Sequence, residues 1–179
     1  AKNAAREVHV FGRRGPAQAK FTPLELKELD HSDTIEVVVN PEDIQYDAAS
    51  ETSRRESKIT DQVCTILENY AIREPKGAPH KLFIHFFESP VEIIGETGED
   101  GVQHVSAIRT ERTELDGEGG VRGTGTFTEW PVGAVYRAVG YRSDAVTGVP
   151  FDTGTHTIPD AGGRVLGDVD GNHIQGLYT

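Results

Sequence analysis

The 179-residue chain contains no methionine and one cysteine, Cys64. A lone cysteine excludes an internal disulfide framework. Its place on the apolar side of a predicted helix makes it a core residue. No apolar run approaches the roughly 20 residues a membrane-spanning helix needs, and no signal peptide is visible at the start. Cations are the scarcer charge, 18 Lys and Arg against 29 Asp and Glu, for a net charge of −11. That balance disfavours general nucleic-acid binding. The seven histidines, His9, His31, His80, His85, His104, His156 and His173, show no metal-site spacing such as H-x-x-x-H. His80 and His85 flank a strand and read as surface residues. There is no G-x-S-x-G nucleophile turn, and Asp116, Glu118, Asp168 and Asp170 do not follow the calcium-binding EF-hand pattern. Glycine is plentiful, yet the one Gly-rich run, DGEGGVRGTG from Asp116 to Gly125, misses the G-x-G-x-x-G spacing. Lying between two strand patterns, it reads as a hairpin or loop.

What is present is concentrated near the start, in EVHVFGRRGPAQAKFTPLE from Glu7 to Glu25. Glu7 to Phe11 are extended and apolar, with Val8, Val10 and Phe11 suited to a buried strand. Gly12-Arg13-Arg14-Gly15-Pro16 stops that strand. Thr22 then caps a helix with Pro23 at its first position and Glu25 three residues after the cap, a capping box. A pair of guanidinium groups therefore sits at the carboxyl end of a strand, in the loop leading to a helix, which is where open α/β sheets bind ligands. A guanidinium fork matches phosphate in shape and charge. At the corresponding place in dinucleotide domains an acidic residue selects NAD and arginine accommodates the 2′-phosphate of NADP. Arg13 and Arg14 thus read as an NADP selector. Charge supports this: residues 1–27 carry Lys2, Arg6, Arg13, Arg14, Lys20 and Lys27 against Glu7 and Glu25, a basic end on an acidic chain.

GRRGPAQAKFTPLELKEL resembles the adrenodoxin-reductase-like ferredoxin–NADP reductases, two-domain flavoproteins whose pattern is a strand, GRRGP, a glutamine, and F-T-x-x-E-L-R-E-L. The matching positions are Gly12, Arg13, Arg14, Gly15, Pro16, Gln18, Phe21, Thr22, Glu25, Leu26, Glu28 and Leu29, with Lys27 in place of an arginine. Phe86-Phe87-Glu88-Ser89-Pro90, Val139-Gly140-Tyr141-Arg142, Val149-Pro150-Phe151-Asp152, Thr157-Ile158-Pro159, Gly163-Arg164-Val165 and Gly176-Leu177-Tyr178 are similar to later family landmarks, in order. The resemblance implies that Arg13 and Arg14 hold the 2′-phosphate and that Glu25 belongs to the same nucleotide site, besides its capping role. It implies NADP(H) as cofactor, FAD in the complete parent enzyme, a ferredoxin as partner and a cytoplasmic location. The family's Gly-rich G-x-G-N-V-A turn does not precede Arg13, its W-x-K-R-G-P block does not follow Tyr178, and no FAD fingerprint is present. Together with the missing methionine, this suggests an interior segment of the enzyme, inactive alone. The expected fold class is α/β: an incomplete Rossmann-like NADP-binding domain, a parallel βαβ half plus an antiparallel β insertion. The alternatives are a non-catalytic module binding a phosphate ligand or an acidic partner, or part of a related NADPH-dependent flavoprotein such as the glutamate synthase small subunit.

Along the chain, residues 1–80 form the expected parallel α/β part and 81–179 the mostly antiparallel part of one partial domain. Thr34–Val39 is a β-branched strand, parallel to the first through a right-handed crossover. Residues 47–56 read as polar and mobile. A helix from Arg54 or Ser57 to Ile72 presents Ile59, Val63, Ile66, Leu67 and Tyr70 on one face. Lys81–Phe87, Val91–Ile94, His104–Leu115 and Gly123–Trp130 are predicted strands, with Val105 and Ala107 of the third facing inward. Ala134–Gly140 reads as a short buried strand, and Gly163–Leu166 and Ile174–Tyr178 as the last ones. A segment cut from a larger sheet leaves an unpaired edge, so a homodimer or strand exchange is expected to cover it.

Overall fold

The computed structural model describes residues 4–140, 142–167 and 171–179. They divide into two compact units, the first ending at Val135 and the second starting at Tyr136. In the first, β1 (Glu7–Gly12), α1 (Pro23–Asp30), β2 (Ile35–Val39), α2 (Ala48–Glu56), α3 (Lys58–Ile72) and β3 (His80–Phe86) build a three-stranded parallel sheet of order β1-β3-β2. An antiparallel sheet follows, β4 (Glu88–Thr97), β5 (Gln103–Leu115) and β6 (Val121–Pro131), paired in chain order. In the second unit β7 (Asp160–Ala161), β8 (Arg164–Leu166) and β9 (His173–Tyr178) form a small antiparallel sheet.

The parallel sheet is built as its sequences require. Val37 and Val39 of β2 and Ile84 and Phe86 of β3 meet Leu26 of α1 and Val63, Leu67 and Tyr70 of α3 in one buried cluster. The Tyr70 hydroxyl donates to the Leu26 carbonyl at 2.6 Å, fixing α3 to α1. The predicted reciprocal box of Thr22 and Glu25 is present at α1, whereas α3 starts at a cap the sequence reading did not place, Ser57, which accepts from the Thr60 N–H. Cys64 is a buried core thiol.

Several expectations are corrected. The chain does not turn antiparallel at residue 81: β3 is the central parallel strand, so β1 and β2 share a sheet without touching, and the change of character falls at Phe87. Its near-continuous apolar run, LFIHFF, is the mark of a strand covered on both faces. Of residues 47–56, Ala48–Glu56 are helical. Asp47 caps α2 by accepting the Ser50 N–H at 2.8 Å, and Arg54 bridges it to α3 through Asp61 (3.0 Å) and Glu68 (2.7 Å). A helix held by caps and ion pairs carries no apolar stripe to announce it. Val8 and Val10 are 46% and 37% exposed, because α1 and α3 pack on β2 and β1 contributes nothing to the buried cluster. Leu24 and Ile59 also point outward. In β5 the buried positions are Ile108, Thr110 and Thr113, with Val105 and Ala107 only half-buried. Residues 134–140 form no strand, and Tyr136 is 90% exposed. Residues 1–3, Tyr141, Asp168 and Asp170 lie outside the described residues.

Candidate functional site

The carboxyl ends of the three parallel strands converge on the loop that follows β1. Gly12 ends the strand, Arg13 and Arg14 follow, and Pro16–Gln18 make a single 3-10 turn on the way to Thr22 and α1. Arg13 is exposed and Arg14 half-buried. Among the described residues neither guanidinium has a hydrogen-bond or ion-pair partner. Their backbone, by contrast, is tied down. The Thr113 hydroxyl of β5 donates to the Arg13 carbonyl at 2.8 Å, and the Phe87 N–H donates to the Arg14 carbonyl at 3.4 Å. The next residue must be glycine for reasons of space: a Cβ on Gly15 would lie 2.7 Å from Cζ of Phe87. Its backbone, φ −79° and ψ 179°, is one any residue adopts.

Phe87 is therefore the pivot. It is 1% exposed, has φ +57°, and links β3 to β4. A left-handed aromatic residue is unfavourable unless its surroundings enforce it, and here they do so through its ring, its N–H and its carbonyl, which accepts the Thr113 N–H at 2.8 Å. Beneath the loop runs a buried polar chain. Trp130 Nε1 donates to Thr110 Oγ1 (2.8 Å), and that hydroxyl donates to Glu88 Oε2 (2.5 Å). Glu88 Oε1 faces Arg112 Nη1 at 3.6 Å, and Arg112 donates to Asp43 Oδ1 at 2.6 Å and to the Phe86 carbonyl at 3.2 Å. Asp43 Oδ2 accepts the Phe86 N–H at 3.0 Å. Every polar group in the chain meets a complementary one, which is the condition under which burying it is tolerated.

Glu25 stands at the start of α1. Its Oε2 accepts the Thr22 N–H at 2.7 Å, while the Thr22 hydroxyl accepts the Glu25 N–H at 3.2 Å. The Thr22 N–H holds the Glu25 carboxyl below the usual carboxylate range. The Asp116–Gly120 run is a turn, with Asp116 Oδ1 accepting the N–H groups of Glu118 (2.8 Å) and Gly120 (2.9 Å). No group of three His, Cys, Asp or Glu side chains among the described residues is placed to hold a metal.

One cluster escaped sequence reasoning. His85, read as a surface residue, lies within β3 and stacks with His9 of β1, His9 Nδ1 to His85 Nε2 being 2.9 Å. Phe11 and Phe83 stack beside them, and the indole of Trp130 lies 4.5 Å from the His85 ring centre. The alternation His9, Phe11 and Phe83, His85 on two strands was visible. Their adjacency required knowing that β1 pairs with β3. Burial first, and the neighbouring His9 second, lower the His85 pKa to about 4. A base whose folded pKa is depressed contributes stability above its unfolded value near 6.5 and loses it as the pH falls toward 4. Trp130 is the sole tryptophan, so its emission should report loosening of this contact between pH 6.5 and 4. A His85→Phe variant should remove that step, and an unchanged acid transition would refute the assignment.

No family model matches the chain. It is 39% identical over 166 residues to NADPH-ferredoxin reductase FprA of Mycobacterium tuberculosis, covering 90% of this chain and 35% of that protein. It is 29% identical over 189 residues to the mitochondrial NADPH:adrenodoxin oxidoreductase of Arabidopsis thaliana, covering 99% of this chain and 39% of that one. A solved structure of Mycobacterium tuberculosis FprA in complex with NADPH superposes with a TM-score of 0.72 at 38% identity, over 89% of this chain and 35% of its own. The chain thus spans about a third of the length of the relatives it matches. The parallel sheet with its charged carboxyl-end loop and attached antiparallel sheet has the α/β fold of a Rossmann-like NADP-binding domain. Over the stretch it spans, the chain is similar in sequence and in fold to these ferredoxin and adrenodoxin NADPH reductases.

Proposed function

We propose that the chain is the NADP(H)-binding portion of a flavoprotein ferredoxin–NADP reductase, with Arg13 and Arg14 as ligands of the 2′-phosphate and Glu25 at the edge of the same nucleotide site. The observation that carries the reading is the contrast within the arginine loop: both backbone carbonyls are engaged while both guanidinium groups lack a partner among the described residues. Unpaired forks on a braced loop at a strand's carboxyl end fit a phosphate dianion in charge and geometry. Glu25 spends one carboxylate oxygen on the Thr22 N–H and keeps the other for a ribose or adenine donor. Bound NADPH supplies a hydride, which in such enzymes goes to FAD and leaves as single electrons to an iron–sulfur protein. This chain's residues supply binding and orientation. On this reading the partner of the whole enzyme is a ferredoxin, with no nucleic acid and no membrane, the setting is cytoplasmic, and the chain alone is inactive. Among the described residues no helix is long and apolar enough to cross a membrane. The outer edge of β1, which no described strand covers, is where the chain by itself is expected to self-associate as a homodimer.

The test is a calorimetric titration of the chain with 2′,5′-ADP and with 5′-AMP. The reading requires clear preference for the 2′-phosphorylated nucleotide, weakening as salt is raised. A Glu25→Gln arm keeps the capping box, since glutamine also serves there, and isolates the ligand role of the carboxylate. Equal affinity for both nucleotides would overturn the reading.

A further inference from the structure

We propose that Thr113 is a positioning residue for 2′-phosphate recognition: its hydroxyl, acting on the Arg13 carbonyl from 100 residues away, sets the direction in which the two arginine side chains leave the backbone. The inference rests on Arg13 and Arg14 being the phosphate ligands. Thr113 is 6% exposed, in β5 of the antiparallel sheet, and its N–H and hydroxyl both serve this junction: the N–H bonds the Phe87 carbonyl at 2.8 Å and the hydroxyl the Arg13 carbonyl at 2.8 Å.

Strand geometry makes this arrangement unusual. Successive side chains of a regular strand point to opposite faces. Yet Arg112 reaches Asp43 and the Phe86 carbonyl, while its neighbour Thr113 reaches Arg13, so both engage the parallel part. The β5–β6 register shifts between Glu111 and Thr113, where Glu111 faces Phe127 and Thr113 faces Gly123. Thr124, in the extra stretch of β6, caps the Arg112 carbonyl with its hydroxyl at 2.8 Å. Such irregularities re-aim side chains beside functional sites. Here the result is that the Arg13 carbonyl is held by Thr113 of the antiparallel sheet and the Arg14 carbonyl by Phe87 at the β3–β4 junction, so the Arg13–Arg14 and Arg14–Gly15 peptides have little freedom to rotate. A ligand-binding pair held this way has less disorder to lose when phosphate arrives.

The experiment compares 2′,5′-ADP and 5′-AMP binding to the whole chain as Thr113→Val, Thr113→Ala and Thr113→Ser, with Trp130 emission and thermal melting confirming the fold. Valine keeps the shape and loses the hydroxyl; serine keeps the hydroxyl and loses the methyl. Thr113→Val is expected to weaken 2′,5′-ADP binding about five- to tenfold while 5′-AMP changes less than about twofold, and Thr113→Ser to return to within about twofold of the parent. If Thr113→Val does not fold, Thr113→Ala against Thr113→Ser makes the same comparison. Unchanged 2′,5′-ADP binding without the hydroxyl, equal loss for both nucleotides, or no rescue by serine would each overturn the proposal. An Arg13→Ala/Arg14→Ala control separates the two levels. If that control abolishes the 2′-phosphate preference and Thr113→Val leaves it at the parent value, Thr113 has no positioning role and the arginine assignment stands. If the control keeps the preference, the arginine assignment fails and the Thr113 role falls with it.

Discussion

Asp43→Ala is expected to destabilise the first unit by about 3 kcal/mol, at the lower end of what removing one member of a buried ion pair costs. Asp43 is 2% exposed, and both its oxygens are used, one by Arg112 and the other by the Phe86 N–H. Alanine leaves a backbone donor unsatisfied at the end of the central strand and a guanidinium short of its main counter-charge. The Arg112 side chain is 29% exposed and keeps Glu88 nearby, so water and Glu88 recover part of the loss. Asp43→Asn preserves an acceptor for the Phe86 N–H and should cost about half as much, in line with a lost charge rather than an orphaned donor. Urea unfolding followed by Trp130 emission measures both. A loss below about 1 kcal/mol for the alanine variant would mean that the pair is solvated and does not brace the junction.

Replacing Arg13 and Arg14 together with alanine is expected to lower affinity for 2′,5′-ADP by roughly 100-fold or more and to leave 5′-AMP within about twofold. Hydrogen bonds to charged groups contribute about 1.5–3 kcal/mol each, and about 1.4 kcal/mol is a factor of ten. Two forks on one phosphate therefore account for two decades even at the lower figure, which suits an exposed Arg13. Stability should move by less than about 0.5 kcal/mol, because neither guanidinium has a partner among the described residues. That combination, a large selective loss of binding with an unaltered melting curve, is the signature of a ligand pair. Parallel loss of both nucleotides would point to a damaged loop.

Much of this was readable from local sequence. The capping box at Thr22 and Glu25, the strand running into Gly12 and the turn that starts at Asp116 each depend on residues within a few positions of one another, and each is found where the spacing puts it. The position of Arg13 and Arg14 at a strand end was legible for the same reason. What holds them there was not. Thr113, Phe87, Asp43 and Arg112 meet only through pairing of distant segments, and no periodicity encodes that meeting. The order β1-β3-β2 hid the His9–His85 contact in the same way. The helix at Ala48–Glu56 went unread because its stability comes from a cap and cross-helix ion pairs, not from an apolar face.

The reach from Thr113 back to Arg13 also has a consequence for vectorial synthesis. As the polypeptide leaves the ribosome, β1 and α1 emerge early and their local hydrogen bonds can form at once. The clasp on the arginine loop must wait until a further hundred residues have been delivered. Contacts of such long sequence separation close late. A nascent chain halted anywhere before the fifth strand would therefore carry its two arginines on a slack tether.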